Sequence, residues 1–131
     1  VQAIDIAQKQ FGGKATDLEL KRSHGAPAYE VELHDGAKKH SVYIDAISGK
    51  VLSRKTENER KSAVSPAISL ERAIEIAQVK VSGQVLDAEL DDDRSRIRYE
   101  VEILSAADRV QHKVVIDANN GNVVASYIDR D

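Results

Sequence analysis

Two glutamate pairs, Glu30/Glu32 and Glu100/Glu102, and two histidines, His40 and His112, are the side chains best suited by type and spacing to do chemistry. On a strand, a spacing of two turns both carboxylates of a pair to one face, as general acid–base work would require. The same alternation is also the ordinary wet face of a strand. No nucleophile or cleft motif accompanies it, so the chain is read as a non-enzyme. His40 and His112 occupy equivalent places near strand starts, sharing a face with Val42 and Ile44 or with Val114 and Ile116. They suggest either partly buried, satisfied histidines or a ligand or ion site between two halves of the chain. Two ligands alone specify little about a metal.

Other candidates are weaker. Asp117-Ala118-Asn119-Asn120-Gly121-Asn122 has the composition of a calcium loop. An EF-hand loop needs glycine sixth and a glutamate twelfth, whereas here Gly121 is fifth and Ile128 is twelfth. An Asx-type turn closing a hairpin is the better reading. Asp91-Asp92-Asp93 stands where Lys21-Arg22-Ser23 stands earlier in the chain, which marks a solvated turn rather than a site. There is no glycine-rich phosphate loop, no G-x-S-x-G and no H-E-x-x-H. The 131 residues include no cysteine, which excludes disulfides, thiol catalysis and thiolate metal sites. A formal charge of −3 argues against a nucleic-acid footprint. No apolar run approaches the roughly 18 residues of a membrane span. No cofactor is expected.

The elements that position these residues come from an internal repeat. Ala3-Ile4-Asp5-Ile6-Ala7-Gln8 returns as Ala73-Ile74-Glu75-Ile76-Ala77-Gln78, and Tyr29-Glu30-Val31-Glu32-Leu33 as Tyr99-Glu100-Val101-Glu102-Ile103, both at an offset of 70. His40-Ser41-Val42-Tyr43-Ile44-Asp45-Ala46 returns as His112-Lys113-Val114-Val115-Ile116-Asp117-Ala118 at an offset of 72. The two extra residues fall between the last two blocks, in a turn, where length changes cost little.

Each copy opens on an amphipathic helix, with Ala3, Ile4, Ala7 and Phe11 on one face of the first and Leu70, Ala73, Ile74, Ala77 and Val81 on one face of the second. Gly12-Gly13 and Gly83 are expected to end them, and Ser69 to cap the second. Period-two alternation follows, punctuated by His24-Gly25, Asp35-Gly36, Ser48-Gly49 and Asn120-Gly121. The expected fold is α+β: two tandem repeats, each one helix followed by a four-stranded antiparallel meander. The copies pack on each other or share a continuous sheet, since one repeat alone buries little core. The expected boundaries are 1–52 for the first repeat, 53–67 for a charged linker and 68–131 for the second repeat. The linker is read as a solvated spacer, with strand extension or a short helix as the other readings. The first helix lacks a counterpart of the Ser69 cap, so its start is expected upstream of Val1, with a leader removed or absent.

These pieces resemble a tandem of PepSY domains. The resemblance rests on residues 68–77, the two Tyr-Glu-Val-Glu blocks and the closing Val42-Tyr43-Ile44-Asp45-Ala46-Ile47-Ser48-Gly49-Lys50-Val51. It spans nearly everything but the linker. Ser82 departs from the glycine pair and Asn122 from Gly-Lys-Val. The resemblance implies propeptide-like domains of thermolysin-type secreted metalloproteases, a periplasmic or secreted location, and no catalytic residues. It implies a protein-binding module that regulates a peptidase in trans; apart from the resemblance, sheet edges able to pair with another chain leave a structural spacer or homodimer module as a further reading. The expected partner contacts are Tyr43 and Val115 on the outer sheet face, flanked by Glu30, Glu32, Glu100 and Glu102. The alternative is a small-ligand or ion sensor using His40 and His112.

Overall fold

A computed structural model describes residues 2–23, 26–58, 66–93 and 96–129. Chain contacts divide it into two units, Val1–Val64 and Ser65–Asp131. The eight strands are ordered β4-β3-β2-β1-β5-β6-β7-β8 in a single sheet. This corrects the expected fold class: the chain is mostly one eight-stranded antiparallel sheet with two helices, not two separate helix-plus-meander repeats. Alternation along a strand reports which face a side chain takes. It does not report what lies beside a sheet edge, whose unpaired backbone groups accept any suitable strand.

The first unit holds α1 (Gln2–Phe11), β1 (Lys14–Ser23), β2 (Ala26–Asp35), β3 (Lys38–Asp45) and β4 (Val51–Asn58). Ala3, Ile4 and Ala7 of α1 are buried with Leu18, Val31, Leu33, Val42 and Ile44 of the strands. This is the core that the two periodicities demand: one stripe of a helix against one face of a pleated surface. Phe11 ends α1, and Gly12 follows with a positive φ of 76° while its N–H donates to the Gln8 carbonyl at 2.8 Å. Residues 53–58, the opening of the stretch read as a linker, lie in β4. The remainder up to residue 65 is outside the described residues, as is the His24-Gly25 turn.

The second unit holds α2 (Leu70–Lys80), β5 (Gly83–Asp93), β6 (Arg96–Ser105), β7 (Gln111–Asp117) and β8 (Val123–Ile128). Ser69 caps α2, its hydroxyl accepting from the Arg72 N–H at 3.1 Å. Leu70, Ala73, Ile74 and Ala77 pack with Tyr99, Val101, Ile103, Val114 and Ile116. One expectation fails here. Gly83 does not end α2, because Val81 is the C-cap, in extended conformation. Gly83 opens β5 instead, where a Cβ would lie 2.1 Å from the Leu104 carbonyl oxygen. Gly13 meets the His34 carbonyl in the same way, at 2.7 Å. The glycine is therefore kept for a close backbone approach.

The repeat extends to its irregularities. A bulge interrupts β1–β2 pairing between Ala15 and Asp17, and another interrupts β5–β6 between Val85 and Asp87. A second pair falls between Tyr43 and Ile44 and between Val115 and Ile116. Leu33 faces His40 across β2–β3, and Ile103 faces His112 across β6–β7. The register survives the two-residue insertion because the added length lies in the turn after Ser105.

Candidate functional site

The outer face of each unit carries a lysine–glutamate lattice. Lys21 Nζ lies 2.7 Å from Glu30 and Lys39 Nζ lies 3.3 Å from Glu32. In the second unit one lysine serves the pair: Lys113 Nζ is 3.2 Å from Glu100, 3.6 Å from Glu102 and 4.0 Å from Asp129. The hydrogen bond and charge of Glu30 raise the Lys21 pKa against a smaller desolvation. Burial works against the Lys113 ammonium. The Glu100 hydrogen bond and the charges of Glu100, Tyr127 and Glu102 nevertheless carry its pKa well above the usual lysine value. Burial and then the neighbouring Asp129 raise the Glu102 carboxyl, with Lys113 opposing them. Gln111 Nε2 also donates to Glu102. Each of the four glutamates thus lies beside a lysine, one to one in the first unit and two to one at Lys113 in the second.

Tyr43 is half-buried, and the Lys21 ammonium sits 5.7 Å from its ring centroid, a cation–π contact within its own unit. Val115, its equivalent, is only 8% exposed and offers little surface to a partner. The histidines are each engaged locally. His40 is buried, its Nδ1 is 2.9 Å from the Thr56 hydroxyl, and its ring stacks at 6.5 Å on Phe11, itself covered by the Arg54 guanidinium at 4.8 Å. His112 Nε2 lies 3.0 Å from Asp108. The Asp108 carboxyl is held below its usual pKa, first by the Val110 N–H and then by His112. Among the described residues no three His, Asp or Glu side chains gather as a metal would need.

The acidic loop is a turn. Asp117 Oδ1 accepts from the Asn119 and Asn120 N–H groups at 2.8 and 3.2 Å. Asp45 does the same for Ile47 and Ser48, both at 2.8 Å, and the Ser48 and Ile47 amides lower its pKa. An oxygen committed to closing its own turn is a poor start for an ion site.

The two edge strands differ. β4, at one end of the strand order, carries Arg54, Lys55 and Glu57. Charge on an edge strand discourages another chain from pairing with it. β8, at the other end, reads Val-Val-Ala-Ser-Tyr-Ile without a charge. Val123, Val124, Tyr127 and Ile128 are 38%, 46%, 49% and 42% exposed. Its uncharged composition was the available signal, and the turn at Asn120-Gly121 masked it by marking β8 as one more hairpin arm.

A profile described as "Peptidase propeptide and YPEB domain", PepSY, matches residues 1–55 and 67–127. The chain belongs to the PepSY family and carries two copies in tandem. It is similar to the uncharacterized protein YkoJ of Bacillus subtilis strain 168, with 28% identity over 128 residues, covering 98% of this chain and 73% of the relative. Among solved structures it is similar to a candidate lipoprotein of Clostridium difficile 630, at 25% identity and a TM-score of 0.55, with 97% and 90% of the two chains covered. The C-terminal domain of YpeB from Bacillus megaterium aligns at 12% identity and a TM-score of 0.41, over 99% of this chain and 63% of that one. No helix among the described residues is long and apolar enough to cross a membrane.

Proposed function

We propose that the chain is a non-enzymatic, extracytoplasmic protein-binding module that restrains a peptidase in trans. Membership of a peptidase-propeptide family supports the peptidase, and likeness to a candidate lipoprotein supports the compartment. The observation that carries the reading is the contrast between the charged β4 edge and the uncharged, apolar β8 edge. An extended segment of the partner adds to β8 through main-chain hydrogen bonds, and Tyr127 and Val124 supply apolar anchors. Glu100 and Glu102, on the outer face of the same unit, form a polar surround that sets orientation more than affinity, and Tyr43 with Glu30 and Glu32 forms the equivalent face of the first unit as a second contact surface.

The test is hydrolysis of casein by a thermolysin-type metallopeptidase with the chain in molar excess. The expected result is a loss of rate that Val124→Lys with Tyr127→Lys relieves. An unchanged rate with the unsubstituted chain rejects restraint of that class. Inhibition that survives both substitutions rejects β8 as its seat.

A further inference from the structure

The strands β4 and β8 are copies of one strand that diverged in charge. β4 pairs with β3 through Ser41↔Lys55 and Val42↔Arg54, and β8 pairs with β7 through Lys113↔Tyr127 and Val114↔Ser126. At the offset of 72, Tyr127 therefore stands where Lys55 stands, and Ser126 where Arg54 stands. Both strands keep the same bulge, so the backbone is alike and the side chains have changed.

The ladder shows which main-chain groups of β8 face the edge. The Asp129 N–H donates to the Gln111 carbonyl at 2.8 Å. Antiparallel bonding alternates along a strand, so Tyr127 and Asp129 turn their main-chain groups toward β7, while Ser126 and Ile128 turn theirs away from it. A second β8 laid antiparallel meets these outward groups in one register. Ser126 of each copy faces Ile128 of the other, and each outward N–H finds a carbonyl about a two-fold axis at Tyr127. The two Tyr127 side chains then stand directly opposite in a non-hydrogen-bonded pair, where side chains approach most closely. Tyr127 is 49% exposed and has surface to bury there. Within β8 no charge meets its own copy. The same two-fold pairing on β4 sets Lys55 against Lys55, which is destabilising. It also strips water from the Lys55–Glu57 pair, 3.2 Å apart.

We propose that β8 is the interface of a homodimer, in which β8 of a second copy pairs with it antiparallel and Tyr127 lies on the two-fold axis. The second copy is the resting occupant of this edge, and a peptidase segment must displace it. That displacement rests on the peptidase reading; the dimer does not.

Equilibrium sedimentation of the 131-residue chain from micromolar to millimolar concentration is the test, and it needs no peptidase. The mass is expected to rise from one chain toward two. Ser126→Pro keeps the β7–β8 bonds and removes an edge donor from each copy, so it weakens association about tenfold or more. Tyr127→Lys puts like charges on the axis and weakens it likewise. The chain has no cysteine, so Tyr127→Cys reads the axis directly. Air oxidation links it into a disulfide dimer well ahead of Lys55→Cys, at the equivalent place on β4. A single-chain mass at every concentration overturns the proposal. So does a dimer that survives both Ser126→Pro and Tyr127→Lys, or equal cross-linking at 127 and 55. A β8 dimer without restraint of any peptidase supports this proposal and rejects the peptidase reading alone.

Discussion

The Tyr99 hydroxyl and the Ile68 carbonyl meet across 2.6 Å, and this bond ties the approach to α2 onto the middle of β6. The phenol is buried, so the bond is shielded from water and its loss leaves a polar group in an apolar wall. Tyr99→Phe is expected to lower stability by about 1 kcal/mol, the usual net value of such a bond. Tyr29→Phe changes stability far less, because that hydroxyl has no partner among the described residues. Urea unfolding of the two variants measures the difference.

Alkaline pH acts on the same residue. Burial pushes the Tyr99 phenol up to about 12 from an ordinary 10. Between those values the folded state holds a proton that the unfolded chain has released, so stability falls as pH rises. The raised ammonium of Lys113 acts with the same sign, its contribution complete below 10.5 and lost above its folded value. The unfolding midpoint is therefore level from neutral pH to just below 10 and declines beyond. Tyr99→Phe shallows that decline, and denaturant titrations at stepped pH measure it.

The glycines separate two kinds of constraint. A Cβ at Gly83 collides with backbone, so Gly83→Ala is expected to cost about 3 kcal/mol or more through forced movement of β5 away from β6. Gly12 has open space around it but a φ of 76°. Gly12→Ala is expected to cost only about 1 kcal/mol, from backbone conformation alone. Thermal unfolding of both variants distinguishes a clash from a conformational preference.

Thr16 is the extra residue of the first bulge, and its buried hydroxyl has no hydrogen-bond partner among the described residues. The equivalent bulge residue in the second unit is Leu86. Thr16→Val keeps the shape and removes an unsatisfied polar group, so it is expected to stabilise by about 1 kcal/mol. Chemical denaturation is again the measurement.

At β8, Val124→Lys with Tyr127→Lys is expected to lower stability by about 1 kcal/mol, since both side chains are about half exposed and the ammonium introduced at 127 faces Lys113 across β7–β8. The same pair of changes is expected to abolish the proposed restraint of a peptidase. Leu52→Lys on β4, also exposed, leaves restraint intact. Circular dichroism confirms folding, and the hydrolysis assay reports function.

Much of this architecture was legible in the residues. Ala3, Ile4 and Ala7, and their counterparts Ala73, Ile74 and Ala77, announced two helices by their spacing, and the alternation around Val31 and Val101 announced half-buried strands. The offsets of 70 and 72 placed a length change in a turn, and the facing pairs Leu33–His40 and Ile103–His112 show why: a slip within a strand would turn every inward side chain outward. The candidate site was less legible. Val115 was expected on an open face and is buried, while Val124 and Tyr127, both exposed, were not among the expected contacts.

The sequence by itself determined the repeat, the element types and the inward face of each, because side-chain period and turn chemistry are local properties written residue by residue. Only the tertiary structure decided which lysine neutralises which glutamate, that Gly83 serves a close approach rather than a helix end, and that Tyr99 is covered where Tyr29 is not. Those outcomes depend on what stands across a strand pair or beneath a helix. Such neighbours are set by the folding of distant segments against one another, and no local pattern records them.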